Sequence, residues 1–91
     1  QTHTMADGLK TTVGKLNFKI IQNHVKEVIT VSEDEISRAM RMIWERLKII
    51  IEPSCAVPFA ALLGSKAFFK NKKVGVILTG GNVDLGNLPF V

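Results

Sequence analysis

Ninety-one residues, 46% of them hydrophobic, with a mean hydropathy of +0.20 and a net charge of +4, describe one small domain or a piece of a larger one. So much apolar surface excludes a disordered chain, and the mild positive charge is spread along the sequence rather than gathered in a block that would hold nucleic acid. The one cysteine, Cys55, excludes an internal disulfide and fits a reducing, cytoplasmic compartment, and the apolar runs 49–51 and 58–64 are too short to span a membrane.

In chain order, residues 1–14 are small and polar and read as loop. They lack the basic start and apolar core of a signal peptide, and the absence of Met at position 1 fits an excerpt from a longer chain. Residues 17–25 fit a short helix with Phe18, Ile21 and Val25 on one face. The β-branched run 28–31 predicts a strand. Ser32 followed by Glu33, Asp34 and Glu35 is a capping box with an acidic first turn. The helix it opens is expected from Glu33 to about Ile50, with Ile36, Ala39, Met40, Ile43, Leu47 and Ile50 as its core stripe. Arg41 and Glu45 form an i,i+4 pair off that stripe.

Pro53 stops this helix and can start a second one, from Ser54 to about Leu63, closed by Gly64. Its small face of Cys55, Ala56, Ala60 and Ala61 suits close packing. Residues 68–73 read as a basic turn, and 74–78 as a strand apolar on both faces, like a central parallel strand. Thr79-Gly80-Gly81-Asn82 ends that strand, and 83–91 is a loop. The pattern is α/β and incomplete, because two strands cannot build an independent parallel sheet.

Three places can carry chemistry. The glycine turn after 74–78 stands where open α/β sheets bind ligands, although a plain strand-end turn has the same spacing. Glu52, between two apolar helices, is either a capping group or a site residue, and helix geometry favours the cap. Asp7, Gly8, Thr11 and Thr12 gather hydroxyls and a carboxylate in one loop that suits a small anion or serves only as a turn. His3 and His24 have no metal or triad spacing, Cys55 and Trp44 read as packing residues, and Lys66, Lys70, Lys72 and Lys73 as a solvated turn.

Taken together, Thr4-Met5-Ala6-Asp7-Gly8-Leu9-Lys10-Thr11, Trp44-Glu45-Arg46-Leu47-Lys48, Ile51-Glu52-Pro53-Ser54 and Leu78-Thr79-Gly80-Gly81-Asn82-Val83-Asp84 resemble one family. It is the fold-type II pyridoxal-phosphate enzymes (tryptophan synthase β-like), in the branch of serine racemases and serine/threonine dehydratases. The order of the blocks matches the C-terminal part of that catalytic domain, so residues 1–91 are expected to form one fragment without an internal boundary. The resemblance implies pyridoxal 5'-phosphate as cofactor. Thr79 matches the hydroxyl residue that hydrogen-bonds the pyridine nitrogen, and a hydroxyl there leaves the ring a weaker electron sink, suited to β-elimination. Glu52 matches the carboxylate near the same edge of the ring, and Gly80, Gly81 and Asn82 match the turn beside it. Asp7 and Thr11 match the loop that faces the substrate, with Thr11 in place of a serine that contacts the substrate carboxylate. The positions of Lys48 and Asn82 touch an activating nucleotide in eukaryotic racemases.

The implied activity of the parent protein is dehydration of β-hydroxy amino acids to keto acid and ammonia. The alternatives are serine racemisation and a non-catalytic remnant serving as a binding module. The Schiff-base lysine, the phosphate-binding glycine loop and the acidic segment for a divalent cation are expected upstream of this chain. No catalytic lysine is therefore assigned, and the isolated chain is expected to be inactive. The glycine that usually follows the Glu-Pro-Ser block is Cys55 here. Implied partners are an amino-acid substrate, the remainder of its own domain and a second copy in a homodimer, with neither nucleic acid nor membrane.

Overall fold

The computed structural model describes residues 4–6, 9 and 12–91. Its elements are four helices: α1 Lys15–His24, α2 Glu33–Leu47, α3 Pro53–Gly64 and α4 Lys66–Phe69. α2 begins where the capping box puts it. The Ser32 hydroxyl accepts from the Glu35 backbone N–H at 3.2 Å, and the Glu35 carboxylate accepts from the Ser32 N–H at 2.8 Å. Hydrogen bonding to the carboxyl from the Ser32 backbone N–H, and secondarily from the Ser32 side chain, holds Glu35 below the usual carboxylate range. A lowered native pKa stabilises the fold above the unfolded-state value of about 4.3, and that share is lost as pH falls through the lower, native value. Glu35→Gln is accordingly expected to remove part of the acid-side fall in melting temperature while changing little of the slope near neutrality. Melting curves of both proteins from pH 7 to pH 3 check this, and identical acid limbs count against it.

The core is the seam between α2 and α3. Ile36, Ala39, Met40 and Ile43 pack against Ile51, Cys55, Ala56 and Ala60, all of them buried. The alanines and the cysteine let the two helices approach closely, as the small face of α3 predicts. The C-terminal tail is no free loop, since Val83, Leu88 and Phe90 pack onto this core and the Phe90 ring meets Trp44 edge-on at 5.4 Å.

Three expectations need correction. α2 ends at Leu47, not near Ile50, because Lys48 takes a left-handed cap conformation, φ 59° and ψ 34°. Leu47 and Ile50 are consequently exposed rather than in the core stripe. α1 begins at Lys15 and buries none of its residues, so its apolar face has no partner here. Residues 28–31 and 74–78 form no strand, and no strand occurs among the described residues. The physical reason is simple: a strand exists through its ladder, and these segments have no neighbour to pair with.

The shape agrees with this. The molecule measures 39 × 36 × 19 Å with a radius of gyration of 14.1 Å, whereas a compact domain of this length has about 12 Å. Leu16, Val28 and Ile77 are each about three-quarters exposed. A thin slab with large aliphatic side chains on its faces is one layer of a larger fold.

Candidate functional site

The start of α3 and the glycine turn are bound to each other. The Glu52 backbone N–H donates to the Gly80 carbonyl at 3.1 Å. A Cβ on Gly81 would lie 2.5 Å from the Ile50 carbonyl oxygen, and one on Gly80 would lie 2.6 Å from Glu52 Oε1. Neither glycine has a positive φ. What this turn requires of glycine is therefore close approach to the connection between α2 and α3, not an unusual backbone conformation.

Glu52 occupies the N-cap position of α3 with extended backbone (φ −85°, ψ 163°), but its side chain makes no capping hydrogen bond. The capping reading is thereby corrected: the cap is backbone only, the Cys55 N–H donating to the Glu52 carbonyl at 3.0 Å. The carboxylate instead lies against Gly80 and lines a cavity of about 650 Å³. Pro53 stands beside it, and Asn82, Val83, Asp84, Asn87, Pro89 and Met5 complete the walls.

Among the sequence-predicted site residues, the fold joins Glu52, Gly80, Gly81 and Asn82 at one place. Thr79 adjoins Gly80, is exposed and does not line this cavity. Asp7 and Thr11 lie outside the described residues. Lys48 is exposed at the C-cap of α2. Cys55 is buried in the core as a free thiol, Trp44 packs on the core, and Lys72 lies over the Phe68 ring at 4.1 Å.

Sequence reasoning missed Met5, Asp84 and Asn87 as wall residues. Asp84 builds a local turn, accepting from the Gly86 N–H at 2.9 Å through its side chain and from the Asn87 N–H at 3.1 Å through its carbonyl. Asp84-Leu85-Gly86-Asn87 was a legible turn signal. Nothing in it told where the turn would face.

The cavity is of the size small-molecule sites take, and its wall is part apolar (Met5, Pro53, Val83, Pro89) and part polar (Glu52, Asn82, Asn87). Such a wall offers a small ligand both apolar packing and hydrogen-bond partners.

A helix pair backed by an unpaired extended segment, ending in a glycine turn beside a polar-walled cavity, is part of an α/β ligand-binding domain. The chain matches the pyridoxal-phosphate dependent enzyme family over residues 1–80, and it belongs to that family. It is 56% identical over 93 residues to the serine racemase of Dictyostelium discoideum, covering 98% of this chain and 28% of that protein. The crystal structure of the Dictyostelium enzyme superposes with a TM-score of 0.84 over 93% of this chain and 29% of that one. The chain is also 49% identical to the beta-hydroxyaspartate dehydratase of Paracoccus denitrificans, over 96% of its own length and 28% of the relative's. The crystal structure of a T.th. threonine deaminase aligns with a TM-score of 0.84 at 36% identity, over 90% of this chain and 30% of that one. The fold is thus a partial fold-type II domain, spanning less than a third of the length of these relatives. No helix among the described residues is long and apolar enough to cross a membrane.

Proposed function

We propose that residues 1–91 form the C-terminal part of the catalytic domain of a pyridoxal-phosphate enzyme that dehydrates β-hydroxy amino acids. The observation that carries this reading is the meeting of Glu52 with the Gly80–Asn82 turn at the wall of the cavity. Kinship with a hydroxyaspartate dehydratase and a threonine deaminase supports elimination. Kinship with serine racemase supports racemisation as the second reading, since loss of the α-proton can be followed either by departure of hydroxide from the β-carbon or by reprotonation of the α-carbon on its other face.

The cofactor, when bound, supplies an electron sink for the bonds at the substrate α-carbon. This chain's part is to hold and tune it. The Thr79 hydroxyl would donate a hydrogen bond to the ring nitrogen, which favours its unprotonated form. Glu52 and Asn82 would offer it further polar partners from the cavity wall, and Gly80 and Gly81 let the turn lie against the start of α3. By resemblance to the family, Asp7 and Thr11 would serve the substrate, with the Thr11 hydroxyl able to donate to its carboxylate. The complete protein is a cytoplasmic homodimer acting on a free amino acid. Its Schiff-base lysine, phosphate loop and divalent-cation site lie in the segment before this chain, which continues the same domain.

The test is turnover and cofactor binding by the complete protein and two variants. The parent is expected to release keto acid from serine, threonine or 3-hydroxyaspartate. Thr79→Ser, which keeps the donor, is expected to stay within about twofold of the parent. Thr79→Asp would accept from the nitrogen and hold a proton on it, and is expected to slow elimination by at least about tenfold, one pKa unit being worth about 1.4 kcal/mol. It is also expected to change the pH dependence of the cofactor's absorption. Equal rates and unchanged titration in both variants remove Thr79 from the site.

A further inference from the structure

The first turn of α2 carries more acid than its cap uses. Ser32 and Glu35 already exchange both capping bonds. Glu33, at the first helical position and half-buried, points away from that exchange: its Oε1 accepts the backbone N–H of Met5 at 2.8 Å, across 28 residues of sequence. This bond joins the helix to a short segment with its own order. The Ala6 N–H donates to Thr4 Oγ1 at 3.1 Å, and the Leu9 N–H donates to the Ala6 carbonyl at 2.9 Å. Ala6 is 1% exposed, and Met5 both packs on the α2–α3 core and lines the cavity together with Glu52 and Asn82.

We propose that Glu33 is a positioning residue for the part of the cavity wall formed by Met5, read here as its substrate side: its carboxylate holds the Met5 backbone N–H and so fixes where that wall stands. The inference rests on the function proposed above. A bond to an ionised acceptor in partly buried surroundings is among the stronger single contacts a loop can have. α2 is the most firmly capped element of the fold, so it gives Met5 a fixed reference. Glu52 is held by a different bond, from its own N–H to the Gly80 carbonyl in the turn that leads to Asn82. Loosening Met5 therefore moves the substrate wall while leaving the cofactor wall in place.

The experiment compares the complete enzyme with Glu33→Ala, Glu33→Gln and Asp34→Ala. Asp34 is an exposed neighbour in the same helical turn, with the same helix-dipole contribution, and serves as the control. Glu33→Ala is expected to raise the Michaelis constant for the amino acid about tenfold, with kcat and the dissociation constant of pyridoxal phosphate within about twofold. Hydrogen exchange at the Met5 amide is expected to accelerate by at least about tenfold, while α2 stays protected. Glu33→Gln, which keeps a carbonyl acceptor without the charge, is expected to fall between the two, and Asp34→Ala to match the parent. An unchanged Michaelis constant in Glu33→Ala overturns the proposal. So does an equal rise in Asp34→Ala, or a parallel loss of cofactor affinity. Where Glu33→Ala does not fold, an unchanged Michaelis constant in Glu33→Gln overturns it. A parent enzyme that converts none of serine, threonine and 3-hydroxyaspartate overturns the functional reading and this inference together. Normal parent turnover with an indifferent Glu33→Ala overturns the inference alone.

Discussion

Gly81→Ala is expected to destabilise the complete protein by about 1–3 kcal/mol and to weaken cofactor binding with it, by the cost of forcing a methyl into an already packed contact. The new Cβ would stand 2.5 Å from the Ile50 carbonyl oxygen and 3.3 Å from its carbon. Both are backbone atoms, so no rotamer change relieves the overlap. One of two chain segments must back away. The segment that yields is either the glycine turn or the α2–α3 connection, and Glu52 is attached to both through its own N–H bond to Gly80. Gly80→Ala is the informative contrast. Its Cβ would meet only Glu52 Oε1, the end of a flexible side chain, at 2.6 Å. That variant is expected to fold with nearly parent stability but with the carboxylate turned away from the turn, losing cofactor affinity without losing melting temperature. Thermal unfolding with and without pyridoxal phosphate separates the two. A Gly81→Ala protein that melts with the parent shows that the two segments can part freely, and then the turn does not define the site.

These glycines also mark how far the sequence could be read. Local signals were legible, because they are completed within a few residues: the Ser32–Glu35 box, the Pro53 start of α3, the Ile36 to Ile43 stripe and the small face of Cys55, Ala56 and Ala60. The end of α2 was not, since Lys48 adopts a conformation normally signalled by glycine or asparagine. The strand expected at 28–31 rests on β-branched composition and that at 74–78 on a run apolar on both faces, and both report what a segment can do in a sheet, not whether its neighbours belong to the same ninety-one residues. Physics alone favoured a cap for Glu52 and left the glycines open between a ligand site and a plain turn. Their meeting depends on tertiary approach between distant segments, and only resemblance to a family pointed to it. Met5 was beyond reach by either route, because its place in the wall follows from a backbone bond to Glu33. That partner could equally have been solvent.

Removal of the Trp44 side chain is expected to have the largest effect on stability, about 3–5 kcal/mol for Trp44→Ala, the range for deleting a packed aromatic. Two contacts give it that weight. Its ring meets Phe90 edge-on at 5.4 Å and so holds the C-terminal tail against α2. Its indole N–H donates to the Ile51 carbonyl at 3.0 Å. Ile51 is 1% exposed and directly precedes Glu52, and with Lys48 ending the helix in a left-handed turn this bond is what returns the chain to the start of α3. Trp44→Phe separates the contributions. It keeps a ring for Phe90 but removes the donor, and stranding a carbonyl in a buried segment costs about 1–3 kcal/mol. That variant is expected to retain the fold, lose several degrees of melting temperature and bind the cofactor more weakly, because Glu52 is left on a looser tether. Melting is best followed by circular dichroism, since both variants remove the one tryptophan of these ninety-one residues. If Trp44→Phe melts and binds cofactor as the parent does, the indole bond is incidental. Glu52 would then be placed by Pro53 and by its backbone bond to Gly80 alone.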